Sequence, residues 1–290
     1  MMKRDLQNSE LNSLLPDVRV DRRGFVAACI AAGFAVSAEP LLAQAIHTPM
    51  DALEGGDIKI GDMPAYYAVP KAGGPRPVVL VVAEVFGLHE HIKDVTRRLA
   101  KDGYFAIANE PYYRIGELWK LDDLKKVIEG ANQLPDDQAF EDLDATLAWA
   151  AKSKRAAAAK LGITGFCRGG RMVWMYSAHQ PKMKAGVAWY GSLSAAEPAI
   201  KRTPADIAGQ LKAPVLGLYG GDDQGIPQDQ VQKLKAALQA GDKAAQQSQT
   251  HVYQGMPHGF NADYRPSYRK QAAEDAWKRM LAWFKQHGVA

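Results

Sequence analysis

Cysteine is almost missing from this chain: its 290 residues include only Cys29 and Cys167. Long apolar runs are missing as well. The stretch over residues 26–36, diluted by Gly33 and several alanines, is too short for a stable membrane span. No cluster of Lys and Arg stands out in a net charge of +4, so nothing argues for nucleic-acid binding. Internal repeats and low-complexity tracts are absent too. What remains is ordinary globular composition, long enough for one large α/β domain with a substantial core.

The N-terminus carries a distinct pattern. Asp21-Arg22-Arg23-Gly24-Phe25-Val26 sets paired arginines before the weakly apolar stretch, and Ala43-Gln44-Ala45 supplies the small residues of a cleavage site. The pattern resembles a twin-arginine signal. Residues 1–45 are therefore expected to be an export leader cleaved near Ala45, and residues 46–290 the mature domain, periplasmic or secreted. The export machinery is then a partner, and no stable membrane anchor is expected. The leader is charge-neutral: Lys3, Arg4, Arg19, Arg22 and Arg23 balance Asp5, Glu10, Asp17, Asp21 and Glu39. With Cys29 in the leader, Cys167 has no internal disulfide partner and is a thiol to be explained.

Residues 77–83, Pro-Val-Val-Leu-Val-Val-Ala, form a continuous apolar run, the mark of a strand covered on both faces. Further strands are expected over residues 57–60, 65–69, 104–108, 161–164, 184–189, 214–219 and 250–253. Helices are expected over 90–101, 140–152, 168–179, 231–238 and 269–287. Strands alternating with helices predict a mostly parallel sheet with helices on both faces. Residues 113–135 are less regular and suit a lid or pocket wall.

The strand ending near Thr164 runs into Gly165-Phe166-Cys167-Arg168-Gly169-Gly170. Strand, G-x-nucleophile-x-G, helix is the nucleophile elbow of the α/β-hydrolase fold, here with a thiol. The turn is so tight that side chains two residues before and after the nucleophile would collide, which favours Gly at both positions. The plain alternative is a buried cysteine packing as a small hydrophobe. A nucleophile needs a base and the base an orienting acid, and the fold supplies them in the order nucleophile, acid, histidine after successive strands. Gly220-Gly221-Asp222-Asp223-Gln224-Gly225 and Gly255-Met256-Pro257-His258-Gly259-Phe260 stand in that order. Asp223, before Asp222, and His258 are the candidates. Glu84 ends the apolar strand, where a carboxylate is costly unless paired or functional. A tetrahedral oxyanion would find backbone N–H groups at Arg168 and Val85.

These stretches, with Glu84-Val-Phe-Gly87, His91-Ile-Lys-Asp94-Val and Asn109-Glu-Pro-Tyr-Tyr-Arg114, resemble the dienelactone hydrolase (carboxymethylenebutenolidase) family from about residue 57 to the C-terminus. The resemblance implies an α/β-hydrolase fold and a cysteine-dependent hydrolase of lactones or small esters, working through an acyl-thioester on Cys167 without a cofactor. It further implies His258 as base, Asp223 as its partner and Glu84 as the carboxylate that handles the thiol proton. Arg114 would hold a substrate carboxylate, and Tyr113 and Phe260 would line the substrate. The chain departs from the family where a second arginine shortly follows the histidine: Ala262 stands there, the nearest arginine is Arg265, and Arg168 is another candidate cation.

Three other readings stay open. One is a broader carboxylesterase or thioesterase, and another a hydrolase fold retired to carboxylate binding. The third is a metal site at His89 and His91, although no Cys or carboxylate cluster accompanies them. Nothing in the sequence points to an obligate partner, and a monomer is expected.

Overall fold

The computed structural model of this chain describes residues 45–194 and 201–290. The expected leader lies outside the described residues except for Ala45. An apolar run can be a strand only if both its faces are covered, and β3 (Arg76–Val82) obeys: Val78, Val79, Leu80 and Val81 are at most 1% exposed. Around it stand β1 (Leu53–Ile60), β2 (Met63–Pro70), β4 (Phe105–Asn109), β5 (Ala156–Phe166), β6 (Met183–Trp189), β7 (Val215–Gly220) and β8 (Gln249–Tyr253). They make one sheet in the order β1-β2-β4-β3-β5-β6-β7-β8. Only the pairings of β2 with β1 and β4 are antiparallel; the rest are parallel.

The helices are α1 (Glu90–Lys101), α2 (Leu124–Ala131), α3 (Asp136–Ala151), α4 (Arg168–His179), α5 (Gln228–Ala240), α6 (Lys243–Gln247) and α7 (Lys270–Gln286). Their buried positions recur at helical spacing, as Ile92, Val95 and Leu99 do in α1 and Ala276, Met280, Trp283 and Phe284 in α7. The fold is that of the α/β-hydrolases, as the alternation of elements predicts.

Several elements exceed their expected bounds. β1 reaches back to Leu53 because it pairs residue for residue with β2, although Gly55 and Gly56 dilute its local signal. β5 takes in the apolar run from Ala156, and α3 starts at Asp136. Residues 113–135 hold a 3-10 turn, Leu118–Lys120, and α2, which Asp123 caps by accepting from the Lys125 N–H. The five-residue α6 was not expected.

The sheet order sets five strand ends side by side. The chain leaves β3 at Glu84, β5 at Cys167, β6 at Tyr190, β7 at Asp223 and β8 at His258, all at the carboxyl edge of parallel neighbours.

Candidate active site

Cys167 caps α4 at φ 56° and ψ −122°, a conformation non-glycine residues rarely adopt. Its N–H donates to the Trp189 carbonyl at 3.0 Å and its carbonyl accepts from the Arg171 N–H at 3.2 Å, so both strand and helix hold the strained residue. A Cβ on Gly165 would lie 2.3 Å from the Gly169 carbonyl oxygen, and one on Gly169 would lie 2.3 Å from that of Val82. The glycines let the elbow press against the end of β3. Neither the Arg168 nor the Val85 N–H donates to a backbone or side-chain acceptor among the described residues.

The loops after β7 and β8 run together because their strands pair. Gly221 N–H donates to the Tyr253 carbonyl at 2.8 Å and Asp222 N–H to that of Met256 at 3.0 Å. This brings His258 Nδ1 within 2.7 Å of Asp223 Oδ2, while Asp223 Oδ1 accepts from the Gly225 N–H. Both side chains are buried; the neighbouring Asp222 is exposed. Burial disfavours the imidazolium, but the Asp223 carboxylate and then the Cys167 sulfur outweigh it and raise the His258 pKa to about 10. Cys167 thus lies close enough to act on the ring, although Nε2 closes no hydrogen bond of ordinary length. The Tyr190 ring packs on His258 with centroids 5.0 Å apart.

Glu84, fully buried, anchors a second set. Its Oε2 accepts from the Tyr264 hydroxyl at 2.6 Å, and that hydroxyl accepts from Arg265 Nε at 3.0 Å. His89 Nε2 stands 3.4 Å from the same carboxylate oxygen. Burial favours the neutral acid, yet the Arg265 charge and His89 hold Glu84 well below the usual carboxylate range. Tyr190 is pushed well above the usual phenol value by burial and then by Glu84.

Among the described residues, the buried polar atoms here without a hydrogen-bond partner include His258 Nε2, Glu84 Oε1, His89 Nε2, Arg265 Nη2 and the Tyr190 hydroxyl. Cys167 acts electrostatically on His258, Tyr190 and Arg265, and Glu84 on Tyr190 and Arg265. Buried polar groups are rarely left unsatisfied, and orphans gathered round one thiol suit a place where a polar reactant binds. A strained nucleophile, an acid-oriented imidazole and free donors can together carry out acyl transfer.

Other expected site residues lie elsewhere. Arg114 is exposed and pairs in a fork with Asp142 at 2.8 and 2.9 Å, its guanidinium over the Tyr113 ring. The Arg168 guanidinium is engaged by Asn132 and the Leu134 carbonyl. Phe260 is fully buried and packs against Trp189, Tyr190 and Tyr253. Among the described residues no group of three or more His, Cys, Asp or Glu is arranged to hold a metal; His89 meets Glu84, and His91 meets Asp263 at 3.1 Å. Sequence reasoning missed Tyr264. The only trace it leaves is a Tyr-Arg pair just past the histidine loop.

The profile described as "Dienelactone hydrolase family" matches residues 63–288. A protein named "Putative carboxymethylenebutenolidase" from Methylorubrum extorquens is 48% identical over 98% of this chain and 99% of its own length. One of the same name from Escherichia coli strain K12 is 48% identical over 88% of this chain and 96% of its own. The crystal structure of a protein named "Putative Dienelactone Hydrolase" from Klebsiella pneumoniae superposes with a TM-score of 0.77. It is 47% identical and covers 81% of this chain and 100% of that one.

Proposed function

Since the chain belongs to the dienelactone hydrolase family, whose members cleave esters and lactones, we propose that it is a cysteine-dependent hydrolase of a lactone or small carboxylic ester. The observation that carries this reading is Cys167 on a strained elbow beside the Asp223–His258 pair. A substrate carboxylate would meet the free Arg265 Nη2 and weaken the hold of that guanidinium on Glu84. Glu84 then takes the thiol proton and the thiolate attacks the acyl carbon. The N–H groups of Arg168 and Val85 receive the oxyanion; one such donor is typically worth about 3 kcal/mol of barrier. Imidazolium His258 protonates the leaving oxygen, which completes the acyl-thioester. Acylation removes the sulfur charge that helped raise the His258 pKa. The neutral ring then takes a proton from water as hydroxide adds to the acyl carbon, and the thiolate is expelled.

The test is turnover of a dienelactone and of a nitrophenyl ester by the intact protein and by Cys167→Ala, Arg265→Met and Arg114→Ala. Cys167→Ala is expected to lose roughly 10⁴-fold in kcat on both. Arg265→Met is expected to raise KM for the carboxylate-bearing lactone more than for the neutral ester, and Arg114→Ala to do so less. Lactone turnover surviving in Cys167→Ala would sink the thioester route.

We propose further that residues 1–45 direct export through the twin-arginine route. The paired Arg22-Arg23 before a short apolar stretch supports this.

A further inference from the structure

Hydrolysis of an ester at neutral pH frees one proton per turnover, because the product acid ionises. Here that proton is born in a sealed place: Glu84 is 0%, Cys167 3% and His258 5% exposed. His89 is one of two half-buried side chains, with Tyr264, that reach from Glu84 to the surface. Its Nε2 is sealed against Glu84 at 3.4 Å, yet 15% of the side chain remains exposed. The outer part of the ring lines an open groove of about 610 Å³, shared with Leu88, His91, Trp119 and Tyr264.

We infer that His89 is a proton relay between Glu84 and the water of this groove, held in place by the Asp263–His91 pair behind it. The inference rests on the reading above that Glu84 takes the thiol proton. The protonated Glu84 gives its proton to His89 Nε2, leaving a carboxylate and an imidazolium. The imidazolium passes a proton to groove water and returns to neutral imidazole, while the product acid gives its proton back to the expelled Cys167 thiolate, so that one proton leaves per turnover. No bond other than N–H, O–H and S–H changes.

Three observations support it. Burial, with help from the His91 and Arg265 charges, lowers the His89 pKa below the ordinary histidine value against the pull of Glu84. Glu84 is held well below the usual carboxylate range, so it readily gives up a proton it has taken. The ring is also firmly seated. His91 lies nearly parallel to it at 22°, with centroids 5.9 Å apart, and Tyr264 meets its edge at 5.2 Å. His91 is fixed in turn by Asp263, which Arg98 grips from the other side. The titratable and charged groups in contact with His89 are Glu84 from the end of β3, His91 from α1, and Tyr264 and Arg265 from the loop before α7, and His47, Glu90, Lys93 and Asp94 line the groove with it. Asp263 stands behind His91.

His89→Ala and His89→Gln in the full chain test this. In His89→Ala, kcat is expected to fall roughly 10²-fold. Added imidazole, which the groove can admit, is expected to restore it in proportion to the concentration of the neutral form. His89→Gln keeps the bulk and hydrogen-bonding capacity but cannot relay, so it is expected to stay slow. Acyl-enzyme on Cys167, detected by mass after mixing with ester, reports on the underlying reading. A kcat and pH profile unchanged in His89→Gln would overturn the relay, as would a slow His89→Ala that imidazole does not rescue while acyl-enzyme still forms. Absence of acyl-enzyme in the unaltered protein would instead remove the thioester reading and the relay with it.

Discussion

Asp223 and Asp222 are neighbours of identical chemistry with opposite environments. Asp223 is 4% exposed and bonded to His258, while Asp222 faces solvent. Nothing in the Gly-Gly-Asp-Asp-Gln-Gly stretch decides between them except the register at which the loop turns inward. The pairing has a stability signature. The folded His258 pKa, raised to about 10, exceeds the ordinary histidine value, so its contribution is complete below about pH 6.5 and is lost as pH rises through about 10. Urea unfolding of the parent and of Asp223→Asn is therefore expected to show a wide gap near pH 6 that narrows above about pH 10. A gap that widens with pH would contradict the sign. The same substitution is expected to lower kcat by roughly 10²–10⁴-fold, because the imidazole loses its orienting acid.

Among the elements, the elbow shows how a local motif and a distant strand depend on one another. Gly165 and Gly169 were legible as a turn too tight for side chains, and their close approach fits that reason. The sequence did not reveal that Gly169 also lets the turn touch the end of β3, 87 residues before it. Gly165→Ala would set a methyl group 2.3 Å from a carbonyl oxygen. It is expected to cost about 1–3 kcal/mol in urea unfolding, with kcat falling further as Cys167 shifts. Unchanged stability would mean that the turn relaxes freely. Strand boundaries were least legible where pairing and not pattern makes the strand. β1, half-exposed and carrying two glycines, owes its first four residues to β2. Conversely, α2 hid in the irregular stretch because eight residues give too few turns for its periodicity to stand out.

Across the whole molecule, the candidate site draws on five strand ends between residues 84 and 258, joined only by the order of the sheet. The proposed export is tested on the full chain. Arg22→Lys with Arg23→Lys is expected to keep the protein in the cytoplasm of a bacterium that has the twin-arginine route, whereas the parent chain reaches the periplasm. Equal fractionation of the two would count against the leader.

By itself, the sequence determined the alternation of elements, and hence the fold class. It also determined the order of the candidate nucleophile, acid and histidine, because periodicity, turn glycines and chain order are local or one-dimensional properties. Only the tertiary structure decided which charges meet. It paired Arg114 with Asp142, brought Arg265 through Tyr264 to Glu84, and turned His89 and His91 from a possible metal pair toward two different carboxylates. A long side chain reaches several ångströms in many directions, and its partner is whatever the packed sheet and loops set within that reach, which no spacing along the chain encodes.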